Sequence, residues 1–265
     1  MKISLVTPSF NQVQYIGRTI DSVLAQRGDF ELEYRVIDGG STDGTLDVLA
    51  GYGPRLTWVS EPDRGQVDAI NKGLGAATGD VVGWLNSDDV LLPGALAQVA
   101  AAFAAHPERE WMHGRCVIID EHDRTVRRWV SAYKHYRARR HTFENLLTEN
   151  YISQMTAFWR RSAHADIGYL DPSFRFAFDY DLFVRLAARS EPIYVADPIA
   201  CFRWYETSKS GGGFAVQMRE TTEIAAGYSE SSAWTRARAR AKRAAIVSIY
   251  RALSLARRVR PRVRG

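Results

Sequence analysis

Two adjacent carboxylates, Asp88 and Asp89, follow a short apolar segment at residues 81–85. Such a segment predicts a buried strand. Carboxylates at a strand end can hold Mg²⁺ or Mn²⁺ against phosphate oxygens, because these hard cations prefer oxygen ligands. A second interpretation is a helix cap, since Ser87 or Asp88 before a helix is a common N-cap. The pair on its own therefore leaves a metal site and a helix cap open.

Three more polar segments, residues 8–11, 38–43 and 61–66, also follow predicted strands. In an open parallel α/β sheet, ligands bind beyond the carboxyl ends of the strands. We therefore expect these three segments and residues 86–89 to converge on one crevice. The second segment matches neither the glycine pattern of a P-loop nor that of a dinucleotide site, and Leu49 stands where a calcium loop has Glu.

The elements that must position these segments alternate between strand and helix. Apolar runs predict strands at residues 3–7, 33–37, 56–60 and 81–85. Helical spacing predicts helices at residues 15–26, 43–49, 68–77 and 93–105. This alternation predicts an α/β fold with a Rossmann-like, mostly parallel sheet flanked by helices.

The second half of the chain is less regular. We expect a hairpin with strands at 111–120 and 125–130, helices at 143–147 and 179–188, a late strand at 193–195 and a mobile loop at 207–213. The predicted organisation is one domain at residues 1–215, with halves at 1–105 and 106–215, followed by a helical basic extension at 216–265.

The composition, 46% hydrophobic and 25% charged, is ordinary for a globular enzyme. Neither Cys116 nor Cys201 lies in a CxxC pattern or a Cys/His cluster, so we expect no disulfide framework or zinc site and a reducing, cytoplasmic environment. No segment reaches the roughly 18 apolar residues of a membrane span. The first apolar run is also too short for a signal peptide.

The charge is distributed unevenly. The net charge is +5, yet residues 234–265 contain ten Arg, one Lys and no acid, which leaves −6 for the rest. Such asymmetry favours a polyanionic partner. An apolar stripe at Ile246, Ile249, Tyr250 and Leu253 predicts a helix that binds an anionic membrane surface. The alternative is packing on the main domain or in a homodimer, and nucleic acid is disfavoured because no recognised module accompanies the charge.

Polar groups also lie at the start of the helix predicted after residue 63. Asp68, Asn71 and Lys72 lie within about one turn of each other. A helix start beside Gly65 can bind an anion. The alternative interpretation is a solvated helix start.

Two acids, Asp179 and Asp181, lie among the aromatic residues of segment 176–183. Desolvation by such neighbours raises the pKa of a carboxyl toward that of a useful base. Residues two apart on a helix point in different directions, so we expect one of the two acids to face the site. The alternative is that one of them caps the helix.

Taken together, these segments resemble the family 2 glycosyltransferases, which are inverting enzymes with a nucleotide-sugar-binding fold of the A type. The matching stretches are residues 7–12, 37–45, 65–73, 83–89, 178–182 and 201–210. The resemblance implies a glycosyltransferase catalytic domain at 1–215, with a nucleotide-sugar-binding half at 1–105 and an acceptor-side half at 106–215.

The resemblance also implies roles for single residues. Asp179 resembles the family's catalytic base, and Asp89 resembles its metal ligand. Asp181 is expected to have a structural role. The acceptor side is expected to include Gln154 and Trp159. The residues expected on the donor side are Thr7, Pro8, Ser9, Asp38, Gly40, Gln66, Asp68, Lys72, Asn86, Ser87, Asp88, Arg203 and Lys209.

The sequence departs from the family's pattern at two positions. Asn86 replaces the first acid of the metal motif, so metal affinity is expected to be lower or to rest on Asp89 alone. Tyr205 stands where the family commonly has a histidine, and Arg203 and Lys209 are expected to compensate as phosphate contacts.

The resemblance implies transfer of a sugar from a UDP-sugar or another nucleotide sugar, with Mn²⁺ or Mg²⁺, to a hydroxyl of a glycan or lipid-linked acceptor. It places the enzyme in bacterial polysaccharide or envelope synthesis, in the cytoplasm or peripherally on the inner face of the membrane. A nucleotidyltransferase of similar fold would need a glycine-rich basic loop at residues 8–12, which the sequence lacks. A non-catalytic nucleotide- or glycan-binding module would be expected to lack the acids.

Overall fold

The computed structural model describes residues 1–205 and 213–228. Within these residues one eight-stranded sheet has the order β3-β2-β1-β4-β7-β6-β8-β5. The strands are β1 Lys2–Ser9, β2 Glu31–Asp38, β3 Thr57–Ser60, β4 Val81–Trp84, β5 Val90–Leu91, β6 Trp111–Ile119, β7 Phe158–Arg160 and β8 Ile193–Arg203. The helices are α1 Ile16–Leu24, α2 Thr45–Gly51, α3 Gln66–Gly75, α4 Ala95–Ala105, α5 Arg128–Ala138, α6 Phe143–Thr148, α7 His164–Ile167, α8 Phe178–Ala187 and α9 Phe214–Gly227.

The first four strands form the parallel part of the sheet, as the alternating pattern predicts. Strand β1 pairs with β2 and β4, and β2 pairs with β3. In this register Ser9 lies beside Asp38, and Asp38 beside Ser60. The carboxyl ends of three strands are therefore level, and the polar segments that follow them leave the sheet at one edge.

The second half makes the sheet mixed. Strand β7 runs antiparallel to both β4 and β6, and β5 runs antiparallel to β8, whereas β6 and β8 are parallel. Strand β8 is much longer than the predicted 193–195. It continues past Pro198, which lies where the register with β6 shifts. A proline cannot donate a ladder hydrogen bond, so such an irregularity is where a strand tolerates it.

The predicted second hairpin strand at 125–130 is wrong. Only one isolated bridge, between Ile119 and Thr125, continues the hairpin, and α5 begins at Arg128. The carboxylate of Asp120 accepts hydrogen bonds from the backbone N–H groups of His122 and Arg124, which closes the turn. Arg127 then takes a left-handed conformation, with φ of 49°, and this ends the extended path.

Two apolar clusters cover the two faces of the sheet. Ile3 and Leu5 of β1 belong to one cluster, whereas Val6 belongs to the other. This alternation follows from the two-residue period of a strand. Helix α3 packs closely on β1, since a Cβ atom at Gly73 would lie 2.3 Å from a methyl group of Val6. The molecule is thus the mixed α/β fold with flanking helices that the sequence predicts.

Parts of the predicted C-terminal region lie outside the described residues. These parts are the basic tail at 234–265 and the loop at 207–213, apart from Gly213. Helix α9 covers the predicted boundary between residues 215 and 216. The carboxylate of Glu220 on α9 accepts hydrogen bonds from the backbone N–H groups of Phe176 and Ala177, directly before α8. None of the helices in the described part of the chain is long and apolar enough to cross a membrane.

Candidate active site

An open cleft of about 1660 Å³ lies at the carboxyl ends of the parallel strands. One side, which we call the strand-end wall, consists of Gly39 and the cleft-lining residues from 8–12, 63–71 and 86–88. The other side, the helix wall, consists of cleft-lining residues from 127–138, 148–155 and 178–180. The predicted site residues that line the cleft are Pro8, Ser9, Gln66, Asp68, Asn86, Ser87, Asp88, Gln154 and Asp179.

A relay of amide groups connects the two walls. Gln66 Nε2 donates to Asn86 Oδ1 at 2.9 Å, and Asn86 Nδ2 donates to Gln154 Oε1 at 3.1 Å. Gln154 Nε2 in turn donates to the carbonyl of Trp84, at the end of β4, at 2.7 Å. Asn86 therefore joins the start of α3 to Gln154, a residue expected on the acceptor side.

The two adjacent acids have different surroundings. Asp88 is half-buried and lines the cleft, where its Oδ2 accepts a hydrogen bond of 2.9 Å from the Tyr205 hydroxyl. Asp89 is fully buried, and its carboxylate accepts hydrogen bonds from Arg203 N at 2.9 Å and Asn86 Nδ2 at 3.1 Å. Burial, followed by the charge of Asp88, raises the pKa of Asp89 well above its ordinary value.

This geometry argues against Asp89, the predicted metal ligand. Its two carboxylate oxygens are directed into the protein, toward β8 and Asn86, and it does not line the cleft. Asp88 is the member of the pair whose carboxylate a cation bound in the cleft would meet. The spacing of two neighbouring acids does not reveal which one turns inward, because this depends on the distant backbone N–H of Arg203.

Arg203 was predicted to contact phosphate, but in the structure its side chain binds the backbone of other residues. Its guanidinium is buried and does not line the cleft. It donates to the carbonyls of Asp88 and Asp120 at 2.9 and 2.8 Å and pairs with Asp123 at 2.7 Å. It also lies over the ring of Tyr15, 4.9 Å from the centroid. Arg203 therefore holds the backbone that presents Asp88.

Asp38 likewise does not line the cleft, and its carboxylate binds the loop that follows β2. Its buried carboxylate accepts hydrogen bonds from Gly40 N, Ser41 N, Ser41 Oγ and Ser60 Oγ at 2.5–3.0 Å. Gly40 has φ of 85°, a conformation that favours glycine. Gly39, and neither Asp38 nor Gly40, lines the cleft. Asp38 was expected on the donor side, but contact of its carboxylate with a nucleotide sugar would require it to leave these four hydrogen-bond donors.

Four more predicted residues have other positions. Thr7 is buried and shares a hydrogen bond of 3.0 Å with the Tyr34 hydroxyl. The Lys72 ammonium bonds Glu61 at 2.7 Å and Asp68 at 3.5 Å, outside the cleft lining. Trp159 is fully buried and donates through its indole N–H to His164. Lys209 lies outside the described residues.

The two acids near the start of α8 separate as expected. Asp179 is half-buried and lines the cleft, whereas Asp181 does not line it. Asp181 accepts hydrogen bonds from the Arg185 guanidinium at 2.9 and 2.7 Å. Burial raises the pKa of Asp181, and Arg185 opposes this shift. Asp179 is the acid of the two that a bound molecule can reach.

The motifs and spacings in the sequence did not predict the polar and aromatic residues that α5 brings to the helix wall. Trp129, Tyr133 and Lys134 all line the cleft. The Lys134 ammonium contacts the Ile152 carbonyl at 3.4 Å and Ser153 Oγ at 3.3 Å. Burial lowers the pKa of Lys134, and Asp179 is among the groups that oppose this shift. The signal in the sequence was a run of cations from Arg124 to Arg140 without an acid.

The donor atoms at Asp88 suit a cation that binds together with a phosphate-bearing ligand. Within residues 1–205 and 213–228, no group of three or more His, Cys, Asp or Glu could hold a metal ion by itself. Mg²⁺ in nucleotide sites is commonly bound by one or two carboxylates, substrate phosphates and water. A single cleft carboxylate such as Asp88 fits that mode.

Solved structures support the same fold. The chain resembles the S. aureus protein TarS in complex with UDP-GlcNAc, with a TM-score of 0.66 and 20% identity over 84% of this chain and 66% of that chain. It therefore spans just under two thirds of that TarS chain. It also resembles the mannosyltransferase PcManGT from Pyrobaculum calidifontis in complex with GDP-Man and Mn²⁺, with a TM-score of 0.61 and 19% identity over 96% of this chain and 80% of that chain.

Sequence relatives identify the family. A Mycobacterium tuberculosis protein named an uncharacterized glycosyltransferase is 33% identical over 73% of this chain and 71% of its own length. A PGL/p-HBAD biosynthesis glycosyltransferase of Mycobacterium bovis is 31% identical over 69% of this chain and 68% of its own length. The profile of Glycosyl transferase family 2 matches residues 4–168, more than half of the chain. The chain therefore belongs to glycosyltransferase family 2, as its motifs predict, and is a transferase.

Proposed function

We propose that the protein transfers a sugar, with inversion at the anomeric carbon, from a nucleoside-diphosphate sugar to a hydroxyl of a glycan or lipid-linked acceptor. The observation that carries this proposal is that Asp88 and Asp179 line one cleft from its two walls. One acid lies at the strand ends, where a diphosphate would bind, and the other lies among residues on the acceptor side.

The donor is assigned to the strand-end wall. Pro8, Ser9 and Gly39 line it near the ends of β1 and β2, and Gln66 lies at the start of α3. Backbone N–H groups at a helix start favour an anionic ligand. The complexes of TarS with UDP-GlcNAc and PcManGT with GDP-Man support a nucleoside-diphosphate sugar as the class of donor. Within this class we favour a UDP-sugar, as the family resemblance of the sequence implies.

Inverting transfer requires one base and no enzyme-bound sugar. In the proposed step the acceptor oxygen forms a bond to the anomeric carbon while the bond from that carbon to the diphosphate oxygen breaks. Asp179 takes the proton of the acceptor hydroxyl. Asp88 would hold a divalent cation, Mn²⁺ or Mg²⁺, whose charge would offset that on the departing diphosphate.

The acceptor is assigned to the helix wall. Trp129 and Tyr133 present aromatic rings to the cleft, and Lys134 adds a cation near Asp179. Aromatic side chains with a few polar groups are typical of sites that orient a ligand. The proposed acceptor therefore places its hydroxyl toward Asp179, with the rest of the molecule along α5.

The test is a panel of UDP- and GDP-sugars with Mn²⁺, in which release of nucleoside diphosphate and thermal stabilisation of the protein are measured together. Binding of the donor stabilises the folded state by mass action. We expect one donor to raise the unfolding temperature and to be hydrolysed slowly without an acceptor. Absence of stabilisation and of release for every nucleotide sugar would contradict the proposal.

A further inference from the structure

Helix α5 leaves three large aromatic side chains exposed, and one of them, Tyr133, also donates its hydroxyl to Glu149 at 2.8 Å. Trp129, Tyr133 and Tyr136 are 60%, 44% and 50% exposed. Their spacing of four and three residues places them along one side of the helix. A helix on a globular protein normally faces the core with such a stripe, so a stripe left exposed indicates a surface that contacts something else.

Contacts on the inward side fix this orientation. Arg137 is buried and lies 3.4 Å from the carboxylate of Glu149. His135 Nδ1 lies 2.6 Å from the Tyr194 hydroxyl, and Lys134 contacts the Ile152 carbonyl. The side chains of Lys134, His135 and Arg137 thus contact the rest of the protein from the inward side. A rotation of α5 that turned the aromatic stripe inward would break these contacts and would expose the side chains that make them.

The aromatic stripe lies within a strongly basic segment. From Arg124 to His141 the sequence contains six Arg and one Lys and no acid. Arg128, Arg139 and Arg140 are exposed, and the Arg140 guanidinium lies over the ring of Tyr136, 4.1 Å from its centroid. The outward surface of α5 therefore combines large aromatic rings with positive charge.

We propose that the outward face of α5 binds an anionic lipid surface. Trp and Tyr side chains favour the membrane–water interface, and interfacial helices combine them with Lys and Arg. Anionic lipid headgroups complement the exposed arginines. Charge disfavours two other occupants: the tail at 234–265 carries +11, and the same face of a second copy carries the same cations.

This surface adjoins the cleft, because Trp129 and Tyr133 belong to both. Bound to a membrane through α5, the protein would hold the helix wall of the cleft next to the lipid headgroups. If the proposed transferase function is correct, a lipid-linked acceptor would be presented there. The lipid binding itself does not depend on that function and is measured without a sugar donor.

The test uses a fluorophore that reports its own position, so that binding by the basic tail is distinguished from binding by α5. Cys116 and Cys201 are buried and free, which allows selective labelling of an introduced surface cysteine. The full chain with Tyr136→Cys is labelled with an environment-sensitive dye. Tyr169, which is 45% exposed and lies outside α5, provides the matched control as Tyr169→Cys.

Phosphatidylglycerol vesicles should shift the emission of the dye at position 136 to shorter wavelength and leave position 169 unchanged. Replacing Arg128, Arg139 and Arg140 by Gln should weaken vesicle binding by roughly fivefold per cation, which corresponds to about 1 kcal/mol each. Protein that co-sediments with vesicles without a shift at position 136 would bind through another segment and would overturn the proposal. An equal shift with dextran sulfate in place of lipid would also overturn it, because that would identify general polyanion binding.

Discussion

The two walls of the cleft are built differently. The strand-end wall is supported from behind: Asp38 binds its own loop, and Arg203 and Asp89 hold the backbone around Asp88. The helix wall presents side chains from α5 whose aromatic rings remain partly exposed. The motif residues are therefore of two kinds. Some, such as Asp88, line the cleft, and others, such as Asp89 and Arg203, hold those residues in place.

The largest expected effect is on the helix wall. Replacing Asp179 by Asn removes the proposed base, so transfer should fall by about 10²–10⁴-fold. Affinity for the nucleotide sugar should stay within a few-fold of wild type, because the donor is assigned to the other wall. Rates of nucleoside-diphosphate release and calorimetric binding measure the two quantities separately. Turnover at the wild-type rate would remove Asp179 from the mechanism.

The next largest effect is a loss of stability when Asp89, which holds the backbone of the strand-end wall, is replaced. Each oxygen of the Asp89 carboxyl accepts one hydrogen bond, from Arg203 N and from Asn86 Nδ2. In Asp89→Asn the new amide nitrogen would take the place of one of these oxygens and would face a hydrogen-bond donor. We expect the free energy of unfolding to fall by about 2–3 kcal/mol in urea titrations. Asp29, which is exposed, provides the control as Asp29→Asn and should leave the free energy unchanged. A fully stable Asp89→Asn variant would argue against this supporting role.

A smaller effect is expected at the neighbour of the proposed base. Asp181 pairs with Arg185 and does not line the cleft, so Asp181→Asn should lower the free energy of unfolding by about 1–2 kcal/mol. Activity per folded molecule should be retained at a temperature where the variant is folded. A loss of turnover as large as that of Asp179→Asn, in a folded variant, would mean that the two acids act together.

A further effect, on pH dependence, is expected at Glu33 on β2, which does not line the cleft. Burial raises the pKa of Glu33, but hydrogen bonds from Ser4, Thr78 and Arg35 outweigh this and lower the pKa from 4.5 to about 2. A lowered pKa contributes stability above pH 4.5 that is lost as the pH falls toward 2. Glu33→Gln should therefore lose less stability than wild type between pH 5 and pH 3 in urea titrations. An identical pH dependence in the two proteins would contradict the shift.

The sequence predicts the strand-end wall well in outline. Apolar runs of strand length, each followed by a polar segment, determine both the parallel sheet and its level ends at Ser9, Asp38 and Ser60. The pattern does not determine which side of a loop a side chain takes. Asp89 turns inward because the backbone N–H of Arg203, 114 residues away, binds it, and such a contact has no local signature.

The helix wall is less predictable for a physical reason. The segment after Thr125 contains Val126 and Val130, which favour a strand locally, yet it becomes α5 because the Asp120 turn and the left-handed Arg127 redirect the chain. The outward aromatic stripe also opposes the usual rule that apolar residues face the core. The lipid contact that we propose for α5 is therefore not predictable from patterns that assume apolar residues face the core.

The role of Asp88 at the diphosphate end of the cleft is tested by calorimetric titration. UDP and GDP are titrated into wild-type protein and into Asp88→Asn, each with and without Mn²⁺. Our assignment predicts that Mn²⁺ tightens binding of one nucleotide to the wild type and that Asp88→Asn loses this tightening while remaining folded. The same Mn²⁺-dependent gain in both proteins, or none in the wild type, would contradict the proposal that Asp88 marks the diphosphate end of the cleft.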